Sequence, residues 1–322
     1  MIEVTHLTKR YGDHTALSDL SFSIEKGQIY GFLGPNGAGK STTMNIMTGC
    51  LAATSGQVKI GGHDIFEEAA QAKALIGYLP EQPPLYLDRT PREYLTFVAQ
   101  AKKIPKDRVS AEVDRVLAIT QTDQVAHRLI QHLSKGFKQR VGIAQALLGD
   151  PDVIILDEPT VGLDPVQIIG IRDLISDLGK DHTVILSSHI LSEVQAICST
   201  ILIISRGKLV ACDTPENLER LFAGSATLEL EVEGTPEAIA KALCPIPCLI
   251  SPEIVSTREN TCRIRLESSE DLRDLCRDIF FAFSDASLPI LQMTPAKASL
   301  EDIFLELTSG DSPESAGKED DA

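Results

Sequence analysis

Residues 34–42 read Gly-Pro-Asn-Gly-Ala-Gly-Lys-Ser-Thr, which fills every fixed position of the pattern G-x-x-x-x-G-K-[ST]. An apolar run precedes this segment at residues 28–33, and residues 41–48 can begin a helix, so it joins a predicted buried strand to a helix N-terminus. Glycines let such a loop turn its backbone N–H groups inward, and the helix dipole adds partial positive charge. The segment therefore predicts a phosphate-binding loop. The alternative, a glycine-rich turn without a ligand, does not account for a strand, lysine and helix in register.

The side chains of this loop have separate expected roles. Lys40 would reach the β- and γ-phosphates of a nucleotide, and the Ser41 hydroxyl would ligate Mg²⁺. The predicted nucleotide-binding residues of the loop are Gly34, Pro35, Asn36, Gly37, Ala38, Gly39, Lys40, Ser41 and Thr42.

A second element of a phosphate site follows the apolar residues 153–156, where Asp157 and Glu158 come directly after a predicted strand. A strand buried on both faces would place these carboxylates at its C-terminal end, where ligands collect in open α/β sheets. We expect Asp157 to hold Mg²⁺ and Glu158 to act as general base on the attacking water. The alternative, that the pair only ends a strand in solvent, is disfavoured by the loop at residues 34–42.

The pattern of the chain divides it into three regions. Residues 1–220 alternate short apolar strands with helical stretches, as in an α/β domain with a largely parallel sheet, and residues 81–148 within them are interpreted as a helical insertion. Residues 225–309 predict a small α+β domain with the order βαββα and a further strand. Residues 310–322 are rich in Ser, Gly and acidic residues and predict a disordered tail.

Charge and hydropathy exclude some classes of function. The 322-residue chain has a formal net charge of −16 at pH 7, which argues against a basic surface for nucleic acid. No apolar run approaches the roughly 18 residues of a membrane span, and residues 1–6 do not resemble an export signal. We therefore expect a cytoplasmic protein that neither binds nucleic acid nor crosses a membrane itself.

Further segments resemble the motifs of ABC-transporter ATPases. Residues 133–140, Leu-Ser-Lys-Gly-Phe-Lys-Gln-Arg, resemble the signature motif, and residues 157–165, Asp-Glu-Pro-Thr-Val-Gly-Leu-Asp-Pro, resemble the extended Walker B motif and D-loop. Gln82 is at the position of the Q-loop, His189 at that of the switch histidine, and Tyr11 resembles the aromatic residue that stacks on adenine. The resemblance covers about residues 2–220 and implies a P-loop NTPase with a RecA-like core, an antiparallel β edge and a helical subdomain.

The resemblance also implies how the chain would work. Two copies, or a pseudo-dimer, would pair head to tail, so that each ATP lies between the loop of one subunit and the Ser134 hydroxyl and Gly136 backbone of the other, near Asp164. His189 would sense the γ-phosphate, and Gln82 would ligate Mg²⁺ and link it to the helical insertion. That insertion would dock on a membrane partner at the inner face of the cell membrane.

Four of these side chains also have simpler structural interpretations. Tyr11 could pack a turn, Gln82 could be ordinary loop surface, His189 could be a satisfied core histidine, and Asp164 could cap the turn into the following proline.

The signature departs from the common form Leu-Ser-Gly-Gly-Gln, because Lys135 replaces the first glycine and Phe137 stands where glutamine would be. This form resembles a subgroup that pairs with separate ABC-2-type permeases in drug, antibiotic, ion or gliding-associated export, and that often carries a C-terminal segment like residues 299–307. Export is therefore expected. The alternatives are an ABC-type ATPase acting on ribosomes or DNA, and a regulatory module without turnover; the presence of Glu158 and His189 speaks against the latter.

Overall fold

The computed structural model describes residues 1–222, 226–246, 249–258, 261–268 and 272–296. They belong to two compact units that separate between Pro215 and Glu216. The domain limits at residues 220 and 225 stay predictions. The predicted tail at 310–322 and the segment at 299–307 lie outside the described residues.

The first unit contains ten strands and most of the helices. Its strands are β1 (Ile2–Tyr11), β2 (His14–Ile24), β3 (Ile29–Leu33), β4 (Ser55–Ile60), β5 (His63–Asp64), β6 (Ile76–Leu79), β7 (Val153–Leu156), β8 (Thr183–Ser188), β9 (Thr200–Ser205) and β10 (Lys208–Asp213). Its helices are α1 (Lys40–Met47), α2 (Ala69–Ala74), α3 (Pro91–Ala101), α4 (Lys106–Ile119), α5 (Lys135–Leu147), α6 (Pro165–Leu178) and α7 (Leu191–Ile197), and α8 (Pro215–Phe222) crosses the boundary between the units.

A six-stranded sheet forms the centre of the first unit, in the order β10-β9-β3-β8-β7-β6. Strands β9, β3, β8, β7 and β6 are parallel, and β10 is antiparallel to β9 at the edge. Every residue of β7 and β8 is buried, which explains the unbroken apolar run of β7 and the central Val-Ile-Leu of β8. Strands β3, β8 and β7 are adjacent and parallel. The segments that follow them therefore all emerge on the side of the sheet where these strands have their C-terminal ends.

A second, antiparallel sheet has the order β2-β1-β4-β5. One cluster of buried side chains, including Ile2, Leu20, Phe32 and Leu202, joins residues from both sheets. The predicted α/β fold with a parallel core and an antiparallel β edge is therefore confirmed.

Helices α3, α4 and α5 form the helical subdomain between β6 and β7. Helix α3 begins with a capping box, in which Thr90 Oγ1 accepts from Glu93 N at 3.3 Å and Glu93 Oε2 accepts from Thr90 N at 2.9 Å. At the other end of the subdomain, Lys102 Nζ donates to Leu148 O at 2.7 Å, just beyond the last turn of α5. In the described part of the chain, no helix is both long and apolar enough to cross a membrane.

The second unit contains β11 (Ala226–Glu233), α9 (Pro236–Leu243), β12 (Leu249–Arg258), β13 (Thr261–Ser268), α10 (Leu272–Asp285) and β14 (Ile290–Ala296). Its antiparallel sheet has the order β12-β13-β11-β14. Alternate residues of β11 and β13, among them Leu228, Leu230 and Ile264, form the core with Phe283 of α10. The predicted order of elements in a small α+β domain is confirmed.

Candidate active site

The loop between β3 and α1 rests on backbone from two distant segments. Gly39, the N-cap of α1, has φ 107°, and a Cβ on it would lie 2.6 Å from Leu17 Cδ2 and 3.0 Å from Ala16 O. Gly207, in the turn between β9 and β10, donates its N–H to Ala38 O at 2.9 Å. A Cβ on Gly207 would lie 2.4 Å from Ala16 O, so the turn, strand β2 and the loop meet backbone to backbone.

Lys40 lies inside this loop and is only 5% exposed. Its Nζ donates to Gly34 O at 2.8 Å and to Pro35 O at 3.3 Å, and lies 3.6 Å from Glu158 Oε1. Burial lowers the pKa of the Lys40 ammonium, and the negative charges of Glu158 and Asp157 oppose that shift. The loop therefore holds a positive charge next to the carboxylates that follow β7.

Ser41 and Asp157 bring two oxygen ligands together. Ser41 Oγ donates to Asp157 Oδ1 at 3.1 Å, and Ser187 Oγ donates to the same carboxylate oxygen at 2.6 Å. Hydroxyl and carboxylate oxygens are the hard ligands that Mg²⁺ takes beside a nucleotide phosphate. This pair of side chains therefore fits the ion.

Glu158 has a strained backbone and an ordered side chain. Its φ of 48° is in the left-handed region, which is rare for a residue with a side chain. The conformation is held by Ser187, whose Oγ accepts from Glu158 N at 2.8 Å. Glu158 is 7% exposed, and its Oε2 lies 3.0 Å from His189 Nδ1. The structure thus brings the expected base and the expected switch histidine into direct contact.

These groups line one cavity of about 480 Å³. The predicted residues that line it are Tyr11, Asn36, Gly37, Gly39, Lys40, Ser41, Thr42, Glu158 and His189. It is also lined by His14, Ala16, Glu81 and Val161, which sequence reasoning did not single out. Glu81 adjoins the predicted Gln82, and His14 and Ala16 follow Tyr11 closely in the sequence. Their closeness in sequence to predicted site residues was the signal that could have identified them.

Tyr11 lies at the rim of this cavity with 49% of its surface exposed. Lys9 Nζ lies 5.0 Å from the centroid of its ring, a cation–π distance. An exposed ring beside the phosphate loop can stack on a base, and adenine stacking by Tyr11 stays a prediction.

Eight predicted site residues are not among those that line the cavity of the described subunit. Gly34, Pro35, Ala38 and Asp157 belong to segments whose neighbouring residues line it, and the other four are Ser134, Asp164, Gly136 and Gln82. Ser134 caps α5, because its Oγ accepts from Phe137 N at 3.4 Å. Asp164 caps α6, because its Oδ1 accepts from Gln167 N at 2.9 Å. The remaining two are Gly136, which lies in the first turn of α5 against the Gln167 side chain, and Gln82, which is exposed in the loop after β6.

Sequence reasoning also missed two side chains next to Glu158 and His189. Ser187 is the last residue but one of β8, and its position beside the end of β7 could have been expected from parallel pairing. Glu193, in α7, is part of no motif. No sequence signal pointed to it, because α7 reads Leu-Ser-Glu-Val-Gln-Ala-Ile and an acidic residue is ordinary beside serine and glutamine.

Comparison with known proteins places the chain among transport ATPases. The family model described as ABC transporter matches residues 17–161. The linearmycin resistance ATP-binding protein LnrL of Bacillus subtilis is 32% identical over 309 residues, which cover 96% of this chain and 98% of the relative. The chain belongs to the ABC transporter ATP-binding family. It is thus an ATPase that binds ATP with Mg²⁺, and it acts as the ATP-binding subunit of a transporter.

Two further comparisons concern this ABC ATPase. The Nod factor export ATP-binding protein I of Ralstonia nicotianae is 30% identical over 311 residues, covering 96% of the chain and 94% of the relative. A dimeric structure of a bacterial ABC transporter cassette is similar, with a TM-score of 0.61 and 25% identity over 66% of this chain and 98% of that chain. The alternative of an ATPase acting on ribosomes or DNA finds no support among these proteins.

Proposed function

We propose that this ABC ATPase powers export through a separately encoded ABC-2-type permease, at the inner face of the cell membrane. The observation that carries the proposal is similarity along nearly the whole chain to ATP-binding proteins named for resistance and export. The Ser-Lys-Gly form of the signature at residues 134–136 also supports it.

In this proposal the active site is completed by a second subunit. One support is that Ser134 and Gly136, both expected at phosphate, do not line the cavity that holds Lys40. Ser134 is the N-cap of α5, so backbone N–H groups of the first turn and the positive end of the helix dipole are available to an anion near that terminus. A head-to-tail dimer would bring this helix end to the γ-phosphate of the partner's ATP.

The proposed division of work follows the contacts within the subunit. Lys40 would neutralise phosphate charge, and Ser41 with Asp157 would hold Mg²⁺, which stabilises negative charge on the phosphates. Glu158 would orient and deprotonate the attacking water, while His189, 3.0 Å from its carboxylate, would position it and contact the γ-phosphate. Gln82 would join this site to the helical subdomain.

An aromatic patch in that subdomain is the proposed docking surface for the permease. The patch consists of Tyr86, Leu87 and Phe97, which are 49%, 51% and 51% exposed. The Tyr86 ring lies 5.5 Å from that of Phe97 and 5.6 Å from that of the buried Tyr94. Tyr94 in turn donates its hydroxyl to Gln145 in α5. A partner bound to the patch would therefore press on the helix that begins at the signature.

Purification from native membranes tests the proposed function. We expect the tagged chain, extracted in mild detergent, to carry a stoichiometric polytopic membrane protein of the ABC-2 type. Phe97→Glu should lower that recovery at least about tenfold, because a charge in a buried apolar contact costs several kcal/mol. It should leave ATP hydrolysis by the isolated chain unchanged.

Phe66→Glu is the matched control, because Phe66 is a similarly exposed phenylalanine (44%) outside the helical subdomain. Undiminished recovery with Phe97→Glu would reject the patch as the docking surface. Recovery of no membrane protein with the unmodified chain would reject the transport partnership itself.

A further inference from the structure

Glu193 is a buried carboxylate that belongs to none of the recognised motifs. It is 5% exposed, and its Oε2 accepts two hydroxyl hydrogen bonds, from Thr160 Oγ1 at 2.6 Å and from Ser188 Oγ at 3.0 Å. An ionised carboxylate is costly to bury unless it is hydrogen-bonded, and bonds to it are stronger than those between neutral groups. Glu193 therefore binds its two partners firmly.

The two partners of Glu193 belong to the two segments that carry the catalytic pair. Thr160 is two residues after Glu158, and Ser188 directly precedes His189. Ser188 Oγ also accepts from Ile190 N at 3.0 Å, so the backbone on both sides of the histidine is tied to this hydroxyl. One carboxylate oxygen thus joins the segment after β7 to the segment after β8.

Helix α7 gives this bridge a rigid base. A Cβ on Gly31 of β3 would lie 2.1 Å from Val194 Cγ1 and 2.9 Å from Cys198 Sγ, so the helix packs directly on the strand backbone. Strand β3 leads into the phosphate loop. The carboxylate is therefore held in place relative to Lys40 as well as to the segments it bridges.

We propose that Glu193 is a positioning residue for ATP hydrolysis, which fixes the distance and orientation between Glu158 and His189 through Thr160 and Ser188. The inference rests on the roles proposed above for that pair. A general base must lie within hydrogen-bond reach of its proton, and a displacement of about 1 Å can lower a rate about 10²-fold. Binding of ATP depends on the phosphate loop, whereas the hydrogen bonds of the Glu193 side chain go to Thr160 and Ser188.

The test compares Glu193→Ala and Glu193→Gln in the full chain. We expect Glu193→Ala to lower kcat by about 10- to 100-fold with the KM for ATP within about twofold of wild type. Glu193→Gln should recover most of kcat, since its amide oxygen can accept both hydroxyls. Ser192→Ala, an exposed change on the same helix, is the matched control and should have no effect.

Double variants separate this inference from the roles on which it rests. Because Thr160 and Glu193 act as one unit here, Thr160→Val should lower kcat and add little to Glu193→Ala. In a Glu158→Gln background Glu193→Ala should cause no further loss. If Glu158→Gln alone turned over normally, the proposed base would be wrong, whatever Glu193 does.

The inference is overturned if folded Glu193→Ala keeps the wild-type kcat. It is also overturned if the KM for ATP rises by as large a factor as kcat falls and the melting temperature drops as well. If Glu193→Ala does not fold, Thr160→Val decides: wild-type turnover in that variant would overturn the inference equally.

Discussion

Glu158→Gln is expected to lower the rate of ATP hydrolysis by about 10²- to 10⁴-fold, the range that a positioned general base contributes. The amide has nearly the size of the carboxylate and can keep a contact with His189 Nδ1, which lies 3.0 Å from Oε2. It cannot accept a proton from water. ATP binding should persist, because Lys40 and the loop are unchanged, so ATP-bound dimers should accumulate.

Two measurements check this expectation: turnover at saturating ATP, and light scattering with ATP and Mg²⁺ to detect dimers. Glu81→Gln is the control, since Glu81 is a carboxylate at the same cavity to which no catalytic role is assigned. It should change turnover only a few-fold. Normal turnover in Glu158→Gln would refute Glu158 as the base.

Ser134→Asp is expected to lower ATP-dependent dimerisation and turnover by at least about 10²-fold, because like charges brought together cost several kcal/mol and 1.4 kcal/mol is tenfold. Aspartate is as good an N-cap as serine, so α5 should keep its stability. Its negative charge would face the partner's γ-phosphate. The substitution therefore separates the capping role of Ser134 from its proposed role at ATP.

Ser134→Ala is the matched variant, for which we expect a larger loss of stability and a smaller loss of activity than for Ser134→Asp. It removes the cap seen between Ser134 Oγ and Phe137 N, which should cost about 0.5–2 kcal/mol of stability. It leaves the backbone N–H groups of α5 free to bind phosphate and should lose less activity than Ser134→Asp. If Ser134 only caps the helix, the order of the two variants in activity will be reversed.

A mixing experiment tests whether the site is shared between subunits. Lys40→Ala and Ser134→Asp subunits should each be nearly inactive alone. A mixed head-to-tail dimer contains one site with an intact Lys40 facing an intact Ser134, so activity should reappear on mixing. Failure to recover, with dimers demonstrated, would contradict the head-to-tail arrangement.

Asp157, Glu158 and His189, which the sequence predicted, follow strands buried on both faces. Runs such as residues 153–156 are recognisable because no polar residue interrupts them, and parallel pairing then brings Asp157 and His189 to one edge of the sheet. The second unit could be predicted because Leu228-Glu-Leu-Glu-Val alternates as a half-buried strand does. In both cases a local pattern was sufficient.

Local sequence patterns could not predict contacts between segments that are far apart in the sequence. Glu193 contacts Thr160 only because α7 packs on β3. The separation of the two residues in the sequence does not predict this hydrogen bond. Ser134 was expected to begin a helix, but the distance between that helix end and the cavity depends on how the helical subdomain is placed on the sheet. Such placements are tertiary properties, and a motif does not encode them by itself.

The turn at Gly207 matters to anyone who engineers this chain. A hairpin turn between β9 and β10 is the kind of place where tags, labels or inserted domains are usually tolerated. Here Gly207 donates to Ala38 O and accepts from Ser18 N, both at 2.9 Å, and it has no room for a side chain. An insertion at this turn would therefore disturb the support of the phosphate loop and should weaken ATP binding.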